Sequence, residues 1–253
     1  MDERFRGWGG EDTELLGRIP RLRLSGPLFH LWHAPADRSN LRRNRRLLGR
    51  IRRPRRRMAR SVVPRIILRA GIPMQQHSDV APAMQSLFAD YPPARILEIG
   101  TGAGGFAMLL RKLCPATPIR SYDMRPSPHQ AKLTAAGIDS RTADVFCPQV
   151  LGEIAQYLQQ PGRSVIFCDG GDKLAELRQM AQLAKPGDLI LAHDYASDGA
   201  YFRREMLGKH WDWCEITDTD WQPLPNVRKL PHQNLARVAW LVIEVPDHGA
   251  PSA

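Results

Sequence analysis

From residue 94 onward, short apolar runs alternate with longer segments whose apolar positions recur at helical spacing. ARILEIG (94–100), PIRSYDM (118–124), DSRTADVF (139–146), RSVIFCD (163–169), DLILAHD (188–194), WCEIT (213–217) and ARVAWLVIEV (236–245) read as strands. Between and before them, HSDVAPAMQSLFADY (77–91), FAMLLRKL (106–113), SPHQAKLTAAG (127–137), PQVLGEIAQYLQ (148–159), KLAELRQMAQLA (173–184) and SDGAYFRREMLGKHW (197–211) read as helices. In the fifth of these, Leu174, Leu177 and Met180 mark one apolar stripe, and Gly137 stands where helices stop. Strand–helix alternation of this kind predicts βαβ units on a parallel sheet. The expected fold is therefore α/β, with seven strands, mostly parallel, helices on both faces, and a final antiparallel pair because no helix separates the last two strands.

Charge divides the chain in two. Residues 1–70 hold 19 arginines, no lysine and six acids, a net +13, leaving 17 bases and 20 acids of the chain's 36 and 26, a net −3. A border near residue 70 follows, with an irregular or partly helical basic extension before it. Fourteen of the arginines fall between Arg38 and Arg69, broken by Pro54 and Pro64. Leu41, Leu47, Leu48 and Ile51 give the tract a modest apolar stripe. A solvated linker ranks first, contact with an anionic membrane second and nucleic acid third, since residues 34–76 carry no aromatic side chain on which bases could stack. The four cysteines show no CxxC spacing, no run approaches eighteen apolar residues and the first residues lack the basic-then-apolar order of a signal peptide, so a cytoplasmic protein is expected, with the inner face of the membrane as the second-ranked place for the arginine tract.

The strongest chemical signal is LEIGTGAGGF (97–106), where a strand enters a turn with Gly100, Gly102 and Gly104, Thr101 between the first two, and a helix follows. Backbone can approach a ligand there, and the helix start offers unpaired N–H groups. The string satisfies both GxGxxG and GxGxG, so alone it does not separate a dinucleotide from S-adenosylmethionine (SAM). Three acids sharpen it. Glu98 stands two residues before the first glycine, where nicotinamide-binding folds prefer an apolar residue. Asp123 ends the second strand, where a carboxylate can accept from a ribose diol, and Asp144 ends the third, where one can accept from an adenine amino group.

On these residues, 71–245 resembles the class I SAM-dependent methyltransferases, which carry a Rossmann-like sheet. GIPMQQHSDVAPAMQSL ahead of EIGTGAGG resembles, in detail, the group that includes cephalosporin hydroxylase-like and rhamnosyl O-methyltransferase-like proteins. The resemblance implies SAM as cofactor, held by Glu98, Gly100, Thr101, Gly102, Gly104, Asp123 and Asp144. Substrate chemistry is expected at CDGGDK (168–173) and AHDYASD (192–198), where Asp169 and Asp194, 25 residues apart, can converge from neighbouring strand ends. With His193 or Asp172 they suit Mg2+ or another divalent cation, as in cation-dependent O-methyltransferases. Those enzymes follow the first Asp with a bulky residue and a Lys three positions on, whereas here two glycines follow and Lys173 is four positions on. His193, Asp194 and Lys173 are the candidates for the base, and Asp169 equally fits a place in the cofactor pocket. The cluster WDWCEITDTDW (211–221) reads first as packing and second as a sugar-stacking platform.

RFRGWGGEDTELLGRI with LFHLWHAPADRSN resembles the C-terminal portion of inverting GT-A glycosyltransferases of the galactosyltransferase-like type, matching at Trp8, Glu11, Asp12 and His30 or His33. The resemblance implies the end of a longer two-domain protein, without glycosyltransferase activity of its own, and a saccharide or glycan as acceptor for the methyltransferase. The expected division is 1–38 glycosyltransferase remnant, 39–70 arginine-rich linker, 71–247 methyltransferase domain and 248–253 tail. The rival readings are a nucleic-acid methyltransferase guided by the arginine tract and a non-catalytic SAM-fold module attached to a glycosyltransferase. No Asn-Pro-Pro-aromatic motif follows the fourth strand to support the first rival, and no iron-binding His-x-Asp…His set supports an oxidoreductase.

Overall fold

The computed structural model describes residues 66–69 and 71–246. Trp8, Glu11, Asp12, His30, His33 and the arginine tract up to residue 65 lie outside the described residues, as does the tail 248–253.

A hairpin not expected from the sequence comes first, β1 (Ile66–Arg69) pairing antiparallel with β2 (Ile72–Gln75). Helix α1 (Val80–Asp90) leads to β3 (Arg95–Ile99), α2 (Gly105–Leu113), β4 (Ile119–Asp123), α3 (Gln130–Ala135) and β5 (Ile138–Thr142). Then follow α4 (Pro148–Leu158), β6 (Ser164–Cys168), α5 (Lys173–Leu183), β7 (Leu189–Ala192) and the short α6 (Gly199–Tyr201). Small elements close the chain: α7 (Asp218–Trp221), β8 (Arg228–Lys229), α8 (Gln233–Arg237) and β9 (Leu241–Glu244).

The main sheet has seven strands in the order β5-β4-β3-β6-β7-β9-β8. Strands β3 to β7 are parallel, while β9 runs antiparallel to both β7 and β8. This is the Rossmann-like, mostly parallel sheet expected from the alternation. Its central strands are buried throughout, and successive residues feed opposite faces as the pleat requires. Val165 and Phe167 of β6, with Leu189 and Leu191 of β7, join Phe88, Phe106 and Leu235 in one core. Ile166 and Cys168, with Ile190 and Ala192, join Ile154, Leu158, Leu177 and Met180 of α4 and α5 in the other. Each large apolar side chain buried this way contributes about 1.5–3 kcal/mol. Strand order reverses between β3 and β6, and in open α/β sheets the crevice at such a reversal receives ligands.

Three local expectations are corrected. WCEIT (213–217) does not join the sheet; its one bridge, Ile216 to Tyr195, lies beyond the end of β7, and Glu215 turns toward Lys173 instead of continuing a ladder. The remaining strand is β8, two polar residues beside β9. The expected helix 197–211 is one turn of α-helix followed by a π-helical turn, Phe202–Met206, that stops before Gly208 at φ 73°. ARVAWLVIEV begins as the end of α8, and the strand starts only after Ala239 at φ 63°. Among the described residues no helix is long and apolar enough to cross a membrane.

Candidate active site

The glycine turn leaves the carboxyl end of β3, and three glycines at positive φ carry it: Gly100 at 100°, Gly102 at 52° and Gly104 at 97°. A Cβ on Gly100 would stand 2.3 Å from the carbonyl oxygen of Asp169, so only glycine lets the turn pass the end of β6. A Cβ on Gly102 would meet nothing within 4 Å; this side of the turn faces open space. Gly104 is the N-cap of α2, whose first N–H groups therefore lie along the turn.

Three acids stand at or just past the ends of β3, β4 and β5, and Asp123 bonds the turn directly. The Asp123 carboxylate accepts from the Gly102 amide at 2.8 Å and the Arg125 amide at 3.0 Å, tying the turn to the end of β4. Glu98 is fully buried beneath it; Ser121 Oγ donates to its Oε2, and Thr101 Oγ1 lies 2.6 Å from that same hydroxyl. Glu98 Oε1 is buried without a hydrogen-bond partner. Burial pushes the Glu98 carboxyl up to about 8, against the pull of the Ser121 bond. Asp144 is exposed after β5, its Oδ1 accepting from the Phe146 amide at 2.9 Å. Two exposed apolar side chains stand beside these acids, Met124 at 63% and Phe146 at 41%.

Across the crevice, the ends of β6 and β7 bring Asp169, Lys173, His193 and Asp194 together. His193 Nδ1 is 2.9 Å from Asp169 Oδ1 and 3.6 Å from Asp194 Oδ1. The other ring nitrogen, Nε2, is buried without a hydrogen-bond partner. The ring is enclosed by Trp240, stacked at 4.5 Å, and Trp211 at 4.8 Å. Asp169 Oδ2 accepts from Gln76 Nε2 at 2.7 Å, and Gln76 Oε1 accepts from Trp240 Nε1 at 3.0 Å. Asp194 adopts φ 59°, a left-handed conformation that costs a non-glycine residue about 1–2 kcal/mol. Its Oδ1 accepts from Trp211 Nε1 at 2.6 Å, and its backbone carbonyl accepts from the Glu215 amide at 2.7 Å.

Lys173 sits at the centre of the carboxylates. Its Nζ is 3.1 Å from Asp194 Oδ2, 3.5 Å from Glu215 Oε2, 3.9 Å from Asp169 Oδ1, and donates to the Gly170 carbonyl at 3.1 Å. Burial alone would lower the Lys173 ammonium, but Asp194, Glu215, Asp169 and Glu176 outweigh it and hold it well above the ordinary lysine value. Burial alone would likewise raise Asp194, yet Lys173 and His193 with the Trp211 bond keep it below the usual carboxylate value. The surrounding carboxylates thus favour the charged form of Lys173. The Lys173 ammonium lies between Asp169 and Asp194, where the sequence suggested a divalent cation. Among the described residues no group of three His, Cys, Asp or Glu side chains is placed to hold a metal.

The family model described as a methyltransferase domain matches residues 74–237. The chain belongs to this methyltransferase family. No curated protein sequence matches it. Among solved structures, an apo structure of CmcI shares the fold with a TM-score of 0.53 at 14% identity, covering 78% of this chain and 88% of that one. A CmcI structure with Mg and SAM matches at a TM-score of 0.49 and 15% identity over 90% of this chain and 86% of that one. Human N-acetylserotonin methyltransferase in complex with SAM matches at 0.44 and 18% identity, over 66% of this chain and 52% of that one.

Several residues of the methyltransferase domain's crevice carry no local signal in the sequence. Gln76 reaches Asp169 across 93 positions and Glu215 reaches the Lys173 amide across 42. Glu176 explains the first glycine of CDGGDK, Gly170. Its carboxylate accepts from the Gly170 amide at 3.0 Å, and a Cβ on Gly170 would stand 2.3 Å from Glu176 Oε1. Burial raises that carboxyl to about 8 against the pull of Lys173. Trp211 is buried and donates to Asp194, so it packs inside the domain and cannot serve as an open sugar platform.

Proposed function

We propose that this chain is a SAM-dependent O-methyltransferase acting on a saccharide or glycan hydroxyl. The observation that carries the cofactor is the acid-lined glycine turn. Glu98, Asp123 and Asp144 are hydrogen-bond acceptors, suited to a ligand rich in N–H and O–H donors and positive at its reacting end. Glu98 also stands two residues before the first glycine, where nicotinamide-binding folds prefer an apolar residue. Gly100, Thr101, Gly102 and Gly104 shape the turn, and the unpartnered Glu98 Oε1 supports a donor brought in by the ligand.

When bound, SAM supplies a methyl group activated by its sulfonium. The chain's task is to hold the acceptor oxygen in line with that methyl group, exclude water and take up the hydroxyl proton. Asp194, ionised and at the edge of the crevice, is the proton acceptor in this reading. His193 and Lys173 position it, and Asp169 closes the wall between cofactor and acceptor. An open surface depression lined by Tyr201, Arg204, Glu205, Met206, His210 and Arg237 offers polar and charged groups.

The N-terminal segment is the reason for choosing a saccharide. In this reading residues 1–38 are a glycosyltransferase remnant, 39–70 an arginine-rich linker that rests against anionic lipid, and 71–247 the catalytic domain, so that one pathway builds and methylates a glycan. The test is transfer of labelled methyl from SAM to a panel of sugars and lipid-linked glycans, with RNA and DNA as rival acceptors. Label on a sugar hydroxyl supports the reading, and label on nucleic acid alone replaces it.

A further inference from the structure

Four oxygen atoms surround the Lys173 ammonium. They come from Asp194, Glu215, Asp169 and the Gly170 carbonyl, and they lie between 3.1 and 3.9 Å from Nζ. Three are carboxylate oxygens, drawn from the end of β6, the end of β7 and the 213–217 loop. Each carboxylate also has a fixed partner of its own: Asp169 has Gln76 and His193, Asp194 has Trp211, and Glu215 accepts from the Lys173 amide at 2.9 Å. The oxygens are therefore held in place and do not merely swing toward a passing lysine. The side chains of Lys173, Asp194 and Glu215 keep only 11, 13 and 10% of their surface. Three carboxylates this enclosed repel one another unless a cation sits among them.

We propose that Lys173 is a built-in cation that takes the place of a divalent metal among Asp169, Asp194 and Glu215, so that this site operates without metal. The position of Lys173 in the sequence supports this. Starting α5 directly after Asp172, whose side chain caps the helix by accepting from the Ala175 amide at 3.0 Å, aims the first-turn lysine back at the strand ends. Removing the ammonium leaves an oxygen-rich, negatively charged cluster whose carboxylates, spaced around an ammonium and not placed to hold a metal as they stand, would close in on a hard divalent cation. The inference refines the proposed methyl transfer, but metal occupancy is read without turnover, so the two fail separately.

The experiment is titration of the full chain with Mn2+, followed by the electron paramagnetic resonance signal of the free ion, for wild type, Lys173→Ala and Lys173→Ala/Asp194→Asn. Wild type is expected to leave the signal undiminished at one equivalent. Lys173→Ala is expected to bind one Mn2+ at least about tenfold more tightly, with the gain lost in the double variant. Tight binding of one Mn2+ by wild type, abolished by Asp194→Asn, overturns the proposal, as does a folded Lys173→Ala that gains no affinity. If Lys173→Ala does not fold, Lys173→Met, which keeps the length of the side chain, is used in the same titration. If neither variant folds, the wild-type titration decides: a tight Asp194-dependent Mn2+ overturns the proposal and an undiminished signal upholds it.

Discussion

The amide of Gly102 donates to the carboxylate of Asp123 at 2.8 Å, a bond across 21 positions that ties the glycine turn to the end of the neighbouring strand. The same carboxylate is the group proposed to receive the ribose diol. Asp123→Ala removes both roles. Hydrogen bonds to a charged group contribute about 1.5–3 kcal/mol, so SAM affinity is expected to fall roughly tenfold to hundredfold. Asp123→Asn, which keeps one acceptor oxygen, should fall between. Calorimetric titration of the three proteins checks the order.

Two glycines of one turn should respond differently to the same change. Gly100→Ala places a methyl group against the Asp169 carbonyl at φ 100°, and a loss of at least about 3 kcal/mol of stability is expected. Gly102→Ala meets no atom within 4 Å and carries only the left-handed backbone cost of about 1–2 kcal/mol. It should stay folded and lose SAM affinity, because its new methyl group enters the space given to the ligand. Urea unfolding and ligand titration separate the two cases.

Glu98 makes stability depend on pH in a definite direction. Its carboxyl is raised from 4.5 to about 8 in the folded protein, so between those values the native state holds a proton that the unfolded chain releases. Stability is thus full below about 4.5 and falls as pH rises through the window to about 8. Glu176, raised to about 8 as well, adds to the same slope. Asp194, held below 3.8, acts only at more acid pH. Glu98→Gln keeps the shape and an acceptor for Ser121 while removing one titration, so the fall in urea midpoint from pH 5 to 8 should be shallower than in wild type.

Trp211→Phe tests the support of Asp194. It keeps the packed ring and deletes the Nε1 donor that lies 2.6 Å from Asp194 Oδ1. Loss of a hydrogen bond to a buried charged group should destabilise by about 1–3 kcal/mol. The carboxyl, having lost a donor to its ionised form, should titrate at higher pH. The acid limb of the pH–rate profile for methyl transfer should therefore move upward. An unmoved limb would show that Asp194 does not take the proton.

What the sequence revealed and what it hid have physical causes. The turn LEIGTGAGG was legible because an apolar strand, punctuating glycines and a helix start coincide within ten residues. Strands β6 and β7 were legible because both faces are buried and every residue is apolar or small. WCEIT misled because its apolar and polar residues alternate as a strand would, while Glu215 answers to a lysine 42 positions away. Strand β8 was invisible since it is two polar residues lying beside β9. Asp169 and Asp194 could be placed at neighbouring strand ends from spacing alone. That Lys173 would lie between them depends on the cap at Asp172 and on Gly170, which admits Glu176, neither of which has a periodic signature.

The most direct test of the central claim is calorimetric titration of the purified chain with SAM and, separately, with NAD. The account predicts one SAM site that weakens in Asp123→Ala, and no heat with NAD. NAD binding, or a folded chain that binds neither ligand, would contradict it.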